Sequence, residues 1–585
     1  VNAAMPGRSG RTLAGLLVRG DRLLPRREDW AHVHLRRDLT AGVMVALVAL
    51  PLALGFGVSS GVGAGAGLVT AIVAGAVAAV FGGSRVQVSG PTGAMTVVLI
   101  PIVAAHGVDG VLTVGLLAGV ILLVLAVTGA GQAIRYLPVP VIEGFTVGIA
   151  AIIALQQLPA ALGVDVHAEK ILVLTREALH AWSERPTWGA PLTAVGVALG
   201  IVAMARVRAA FPAALVLVVG VTLGNALLAD RGKPALATIG SIPSGLPAPR
   251  LPAVPWADLD TLLLAAVAVA ALGALESLLS ATVADAMSVG ERHDPDRELF
   301  GQGLANIASP LFGGVPATAA IARTAVNVRS GASSRLAALT HAVLLLAVVL
   351  VVSRWVAHIP LAALAGVLVA TAVQMIRVSS LTPLLRATPG DAATLLITAA
   401  ATIALDLVLA VIIGLVAAGF FAVRQSAASA RLSEIPLDDR EHQEGDHHEE
   451  ERRLLDEHIV AYRLEGPLFF AAAHDFLLEL AEVDTVRVVV LRMSHLTTVD
   501  ATGAHVLADV IGRLERRGVT VLISGARPEH LAVLRHLGVP QQLAHERHLF
   551  ATTPEAIAHA RLHVARITHD PTDAPSATTS QEDPA

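Results

Sequence analysis

Phe81-Gly-Gly-Ser-Arg-Val-Gln-Val-Ser-Gly-Pro-Thr-Gly-Ala-Met-Thr96 and Phe312-Gly-Gly-Val-Pro-Ala-Thr-Ala-Ala-Ile-Ala-Arg-Thr324 decide how the rest of this chain is read. Each runs Phe-Gly-Gly, a break, then a short Ala/Thr-rich apolar stretch. Thr92 lies eleven positions after Phe81, and Arg323 eleven after Phe312. From Thr92 to Gly107, or from Thr318 to Gly331, there are about 14 to 16 residues, roughly 22 Å of helix, against a hydrocarbon core of roughly 30 Å. Neither stretch crosses a bilayer alone. A half-helix that begins inside the membrane points unpaired N–H groups and the positive end of its dipole at its surroundings, which favours an anion there. Two of them, one in each half of a polytopic chain, form the pattern of an inverted-repeat secondary transporter with its solute held between them.

Composition agrees with a membrane reading. Of 585 residues, 54% are apolar and only 15% charged, too greasy a balance for a soluble protein of this size. Apolar segments are expected at about 38 to 58, 64 to 82, 92 to 106, 111 to 131, 138 to 158, 189 to 206 and 211 to 229. A second series is expected near 259 to 282, 298 to 312, 318 to 330, 335 to 353, 360 to 376, 388 to 405 and 406 to 424. Seven plus seven is even, so both ends of the bundle share one side. Residues 1–37 carry eight arginines and no long apolar core, so they read as a basic arm rather than a secretory signal, held in the cytoplasm by the positive-inside rule. There is no cysteine, which excludes disulfides and thiolate metal sites.

The transmembrane domain is therefore placed at 38–430. Residues 431–453, with Asp438-Asp-Arg-Glu-His-Gln-Glu-Gly-Asp-His-His-Glu-Glu-Glu451, hold too little apolar content to pack and read as a charged linker. His447 and His448 amid those acids are weighed as metal ligands and read instead as part of the solvated linker. From 454 to 567 the pattern changes to soluble alternation. Ile459 to Leu464, Val486 to Arg492 and Val519 to Ser524 read as strands; Thr502 to Arg517 and Pro528 to Leu537 read as helices, giving a small α/β domain. Residues 568–585 are Pro/Ser/Thr/Asp-rich and read as a disordered tail.

These residues resemble the SulP (sulfate permease) family of anion transporters with its C-terminal STAS domain, over residues 38 to about 565. The resemblance is carried by Leu50-Pro-Leu-Ala-Leu-Gly-Phe-Gly-Val-Ser-Ser-Gly61, Phe81-Gly-Gly-Ser-Arg85 and Ser89-Gly-Pro-Thr-Gly-Ala94. Pro140-Val-Ile-Glu-Gly-Phe-Thr-Val-Gly-Ile-Ala150, Ile242-Pro-Ser-Gly-Leu-Pro-Ala-Pro249, Leu275-Glu-Ser-Leu-Leu279 and Ala322-Arg-Thr-Ala-Val-Asn327 add to it. It implies a polytopic helical bundle of 14 segments in a 7+7 inverted repeat, with core and gate parts, usually a homodimer, moving small inorganic anions by an elevator-like displacement. By position, the anion falls between the starts at Gly90, Thr92 and Gly93 and at Ala322, Arg323 and Thr324, with Phe56 nearby. One departure stands out: Leu52 follows Pro51 where many members carry Gln, which removes a polar side chain and favours a smaller anion such as bicarbonate over sulfate.

Glu276 lies in the middle of an apolar span, where a carboxyl is costly to keep charged and functional by default. It is read as the site that takes a proton at one membrane face and releases it at the other, and its position matches the family's acidic coupling position, Glu in proton-linked members and Asp in a sodium-linked bicarbonate branch. The alternative is a carboxylate permanently paired with Arg323. Arg323 itself either touches the anion or closes the site electrostatically, and Thr92 and Thr324 either bind the anion or cap their helices. Glu143, Asp285, Asp391 and Asp406 are read as helix-end or inter-helix contacts, and His106 and His341 as packing or water-facing residues. In the C-terminal domain, Thr497-Thr-Val-Asp-Ala-Thr-Gly503 resembles the loop that carries a phosphorylatable Ser after Asp in bacterial anti-sigma antagonists; here that position is Ala501, with Thr502 beside it.

The leading expectation is a proton-coupled transporter of sulfate or bicarbonate in the bacterial plasma (inner) membrane, with the proton, or else sodium, and the lipid bilayer as its other partners. A sodium-coupled bicarbonate transporter is the alternative. A nucleobase permease fits poorly, lacking the C-terminal domain and the Ala-Arg-Thr start. From another class comes a membrane-anchored STAS regulator with a vestigial bundle. No enzymatic activity, cofactor, metal or nucleic-acid partner is expected; a β-type carbonic anhydrase fusion is excluded because its zinc site needs cysteine.

Overall fold

Long uncharged runs of Ala, Val, Leu and Gly can satisfy their backbone in lipid only within themselves, so they fold as helices wherever length permits. The computed structural model describes residues 23–30, 33–132, 137–166, 168, 170–207, 211–231, 235–288, 292–405, 407–428, 431–434, 458–469 and 486–567. The first half holds α1 (Leu35–Ser59), α2 (Ala64–Phe81), the two-residue strand β1 (Ser89–Gly90), α3 (Gly93–Thr128), α4 (Val139–Gln156), α5 (Leu158–Leu162), α6 (Ile171–Glu184), α7 (Gly189–Val207) and α8 (Ala213–Asp230). The second holds α9 (Leu259–Met287), α10 (Pro295–Leu311), β2 (Thr318–Ala319), α11 (Ile321–Arg329), α12 (Arg335–Val356), α13 (Leu361–Met375), α14 (Val378–Ala387), α15 (Pro389–Ala404) and α16 (Leu407–Ala428). The chain divides into two compact units between Ala418 and Gly419.

Ten helical stretches among the described residues are long and apolar enough to cross a membrane. One of them, α3, is two segments. Gly107 breaks it with φ 63° and ψ −163°, a backbone that only glycine adopts readily, so residues 93–106 form a half-helix and residues 108–128 a full span. Its counterpart α11 is a half-helix of nine residues. With the shorter α10 and α15 the segments fall seven to a half: α1, α2, both parts of α3, α4, α7 and α8, then α9 to α13, α15 and α16. This is the expected 7+7 bundle. The short helices α5, α6 and α14 had no counterpart in the sequence reading, because a charged or very short helix leaves no span signal.

The segments sort into two packed bodies. Helices α1, α2, α3 and α9 to α12 pack on one another as a core, while α4, α7, α13 and α15 form a gate, with α8 against α7. The breaks at residues 82–92 and 312–320 lie inside the core, and polar side chains answer both of them. β1 pairs antiparallel with β2, Ser89 opposite Ala319 and Gly90 opposite Thr318. Along one face of α10, Glu298 Oε2 accepts from the Gly83 and Ser84 amides at 2.8 and 3.2 Å, and Gln302 Nε2 donates to Ser89 Oγ at 2.7 Å. One turn further, Asn306 Oδ1 accepts from the Ala317 amide at 2.9 Å, and Nδ2 donates to its carbonyl at 2.8 Å. Thr70 Oγ1 accepts from the Val315 amide at 2.7 Å and Asn327 Nδ2 donates to the Val86 carbonyl at 2.7 Å. A buried backbone group left unpaired costs about 1–3 kcal/mol, so these contacts are what make irregular backbone tolerable at that depth.

The C-terminal unit is an α/β sandwich. Its strands are β3 (Arg431–Glu434), β4 (Ile459–Leu468), β5 (Val488–Arg492), β6 (Leu496–Val499), β7 (Thr520–Ser524) and β8 (Leu549–Phe550). Their order is β3-β4-β5-β7-β8, with β6 also paired to β4; β3 is antiparallel and the others parallel. Helices α17 (Ala501–Arg516), α18 (Pro528–His536) and α19 (Thr553–Ile567) complete it. Strand alternation divides the core: Val489, Leu491, Val521 and Ile523 face α17, whereas Val488, Val490 and Leu522 face Ala556 and Ala560 of α19. One boundary is corrected. Residues 431–434, read above as the start of the charged linker, form an edge strand, its Leu432 opposite Leu464; four residues are too few to show alternation in a sequence. His447, His448, Asp406, residues 1–22 and the tail 568–585 lie outside the described residues.

The basic arm contributes one acidic residue that a charge count passes over. Asp29, in a turn at Arg27–Trp30, accepts from Arg297 Nη1 and Nη2 at 2.8 and 2.6 Å and from the Arg26 amide at 2.7 Å, with Arg335 3.9 Å away. Burial opposes its ionisation, but these hydrogen bonds and the charges of Arg297 and Arg335 outweigh it and hold the carboxyl at about 2. Because the folded value is depressed, this contribution is complete above the ordinary aspartate range and is lost only as pH falls through about 2. Asp29→Asn, which leaves Arg297 buried without its counter-charge, is expected to cost about 3–5 kcal/mol at neutral pH. The check is the thermal unfolding midpoint in detergent, which drops if the pair anchors the arm and stays put if it does not.

Candidate functional site

Gly90 ends β1 with φ 156°, a backbone that L side chains rarely adopt, and after Pro91 Thr92 starts α3 as its N-cap. The Thr92 hydroxyl accepts from the Met95 amide at 3.4 Å and donates to Glu276 Oε2 at 2.9 Å. Capping is therefore one of two things it does; the other is to tie the start of the first half-helix to the carboxyl of α9. Among the described residues the N–H groups of Gly93 and Ala94 have no acceptor, nor do those of Ile321, Ala322 and Arg323 at the start of α11. These are the first-turn donors that no helix can satisfy internally.

Arg323 belongs to the second half-helix but reaches back to the first. Its Nη2 donates to the Pro91 carbonyl at 2.8 Å, and Nη1 lies so close to Gly90 that a methyl there would sit 2.5 Å from it. The side chain is 1% exposed, yet among the described residues Nε and Nη1 have no hydrogen-bond partner. Glu276 and Arg323 are not within ion-pair distance of each other, so the permanent structural pair considered above is not formed directly. Gly93 is needed for close approach: a methyl would collide with Ile153 Cδ1 and come within 3.1 Å of Phe56 Cε1. Phe56 comes from core helix α1 and Ile153 from gate helix α4, so the first half-helix begins where core meets gate.

Ala322 is exposed at the start of α11. Thr324 is fully buried, and its hydroxyl accepts from the Val88 amide and from Ser280 Oγ, both at 3.1 Å, so that side chain fastens the break. Sequence reasoning did not single out Ser277 or Ser280. Ser277 Oγ lies 2.8 Å from Thr318 Oγ1 and accepts from the Ala319 amide at 3.2 Å. The available signal was their place beside Glu276 on one turn of α9. Glu298, Gln302 and Asn306 were also passed over, though their four-residue spacing within an apolar helix marks a polar stripe. Among the carboxylates read as structural, Asp285 accepts from His293, with Nδ1 at 2.7 Å, and Asp391 exchanges capping hydrogen bonds with Thr388. His106 lies 3.6 Å from Asp258 at a span end, while His341 is fully buried within α12. Leu52 is buried. In the C-terminal unit Asp500 caps α17 by accepting from the Gly503 amide at 2.7 Å, and Ala501 and Thr502 are exposed in its first turn.

A bundle of two seven-segment halves with facing half-helix starts defines a multi-pass transporter of the inverted-repeat type. Residues 35–398 match the sulfate permease family and residues 455–556 the STAS domain. The putative sulfate transporter YvdB of Bacillus subtilis is 34% identical, over 88% of this chain and 96% of its own. The bicarbonate transporter BicA of Synechocystis is 30% identical, over 94% and 98%. Among solved structures, the transmembrane domain of a cyanobacterial bicarbonate transporter BicA superposes with a TM-score of 0.58 at 34% identity, covering 66% of this chain and 98% of that one. SLC26A9 shares the fold, with a TM-score of 0.74 over 98% of this chain and 99% of that one at 16% identity. The chain belongs to the sulfate permease family: it is a multi-pass membrane anion transporter, not an enzyme, with a C-terminal STAS domain.

Thr92→Val keeps the shape of the side chain and removes its oxygen. It is expected to lose about 1 kcal/mol of capping and the hydrogen bond to Glu276, and to slow anion uptake into proteoliposomes well beyond what that loss of stability explains. Thr92→Ser restores the oxygen and is expected to restore the flux. Equal fluxes for the Val and Ser variants would remove the hydroxyl from the site.

Proposed function

We propose that this protein is a secondary active transporter of small inorganic oxyanions, bicarbonate or sulfate, coupled to protons through Glu276. The observation that carries the reading is the meeting of two half-helix starts, with free amides at Gly93 and Ala94 and at Ile321, Ala322 and Arg323, beside a buried guanidinium with two unpartnered nitrogens. In a low-dielectric interior such donors are satisfied by an anion. Gly90, Thr92, Gly93, Ala322, Arg323 and Thr324 then build the cradle, with Thr324 acting through its hold on the break, and Phe56 bounds it from α1. Amide donors discriminate shape poorly. The relatives are named for both sulfate and bicarbonate, and the buried Leu52, where a polar side chain would favour sulfate, supports bicarbonate as the first anion to test.

Proton coupling follows from charge. An ionised Glu276 hydrogen-bonded to Thr92 sets a negative charge beside the cradle. Two unit charges roughly 6 Å apart at an effective dielectric of about 20 repel by about 3 kcal/mol, close to a hundredfold in affinity. Protonating Glu276 removes that repulsion, so anion and proton bind and move together. Core and gate pack as separate bodies that meet at Gly93, Phe56 and Ile153, which supports displacement of the core past the gate as the transport step. The same reading makes the protein a homodimer of the bacterial inner membrane, with the basic arm and the STAS domain both cytoplasmic. A sodium-coupled bicarbonate transporter is the second reading, supported by the full-length likeness to a protein of that substrate name.

Uptake of labelled bicarbonate and sulfate into proteoliposomes under imposed proton or sodium gradients tests both. Acceleration by an inward proton gradient supports the proposal, and dependence on sodium alone replaces it with the second reading. Glu276→Gln mimics the protonated state and is expected to abolish the response to the proton gradient while leaving anion exchange intact; a wild-type pH response in that variant would move the proton elsewhere. Arg323→Ala is expected to weaken anion affinity at least about tenfold.

A further inference from the structure

In the C-terminal unit, three histidines lie together. His559 and His563 lie one turn apart on α19 and so share a face of that helix. His548 ends the short turn Glu546–His548 that leads into edge strand β8 and meets them there. The ring centres of His548 lie 5.5 Å from His559 and 5.1 Å from His563, and those two are 4.9 Å apart. One ring nitrogen of each falls within 4.8 Å of those of the other two. His548 is 1% exposed, and among the described residues neither of its ring nitrogens has a hydrogen-bond partner. An imidazole buried in that state costs about 1–3 kcal/mol unless something answers it.

We propose that His548, His559 and His563 form a binding site for a divalent transition-metal ion of the zinc type, which fastens α19 to the edge of the STAS sheet. Three imidazoles without carboxylate or carbonyl oxygens suit zinc, copper or nickel and not calcium or magnesium. Zinc–nitrogen distances of about 2.0–2.1 Å in a tetrahedron place donor atoms roughly 3.3 Å apart, which small rotations of these rings reach. Water fills the fourth position, or His545, whose ring centre is 5.7 Å from that of His548. The helix has reason to be fastened, since Ala556 and Ala560, its fully buried contacts with Val488, Val490 and Leu522, are small.

The site is independent of the transport reading and is tested without flux. Full-length, tag-free protein in detergent, stripped with a chelator, is titrated with zinc chloride by calorimetry, and with cobalt chloride to read coordination geometry from its visible bands. A single zinc equivalent at micromolar affinity or tighter, with tetrahedral cobalt bands, is expected. His559→Ala and His563→Ala, at partly exposed positions that tolerate truncation, are each expected to weaken zinc at least about tenfold. His447→Ala/His448→Ala is expected to leave it unchanged. Zinc should also slow amide exchange of α19 in the wild type and not in the two variants. No zinc uptake by the wild type at micromolar concentration, or wild-type affinity in His559→Ala/His563→Ala, overturns the proposal.

Discussion

Irregular backbone inside a bilayer has no water to fall back on, and the core of this protein is arranged around that constraint. Two segments stop being helical midway, and each break exposes amides and carbonyls that must find partners. The pairing of β1 with β2 satisfies some by setting the breaks against each other. Glu298, Gln302 and Asn306 on α10, with Thr70, Gln87 and Asn327, satisfy more. Among the described residues, amides without acceptors remain in the first turns of the two half-helices, and Gln87 Oε1, Gln302 Oε1 and Asn327 Oδ1 are also left without partners. The polar scaffold thus holds both breaks in place while leaving the first-turn amides of the half-helices open, where the anion is proposed to bind.

The same geometry joins the halves of the protein chemically. Arg323 arises from the second half-helix and holds the carbonyl of Pro91, just ahead of the first. Thr92 caps the first half-helix and holds Glu276, which belongs to α9 of the second half. Charge changes at Glu276 are therefore felt at the start of α3 through one hydroxyl. Nearly every member of this constellation is buried, and the exposed Ala322 marks the open side of α11. The first half-helix also touches both bodies of the bundle, through Phe56 and Ile153, so a displacement of core against gate alters its surroundings directly.

In the C-terminal unit the two faces of one sheet are covered differently. Large buried residues such as Leu507, Ile511 and Leu514 bind α17 to one face, whereas α19 meets the other through the fully buried Ala556 and Ala560 and the partly buried Ile557 and Val564, with a group of histidines at its side. Position 501, a phosphorylatable serine in the regulatory domains this loop resembles, is alanine in the first turn of α17, so control of this unit by modification at that point is chemically closed.

Much of this was legible in the residues. Length and charge balance force a bundle; the Phe-Gly-Gly breaks at 81 and 312 and the glycine at 107 bound the half-helices; a lone glutamate in an apolar run marks position 276. These are local properties, set by hydropathy, by helix length against membrane thickness and by the φ freedom of glycine. Which polar groups meet was not local. That Thr92 faces Glu276 rather than solvent, that Arg323 turns back to Pro91, that Asp29 of the basic arm anchors to Arg297, and that His548 joins His559 and His563 all depend on chain segments far apart in sequence or folded onto one another. A sequence records which side chains can form hydrogen bonds, but only packing in three dimensions decides which donors are left without acceptors, and in this protein those remaining donors are what the proposed anion site is built from.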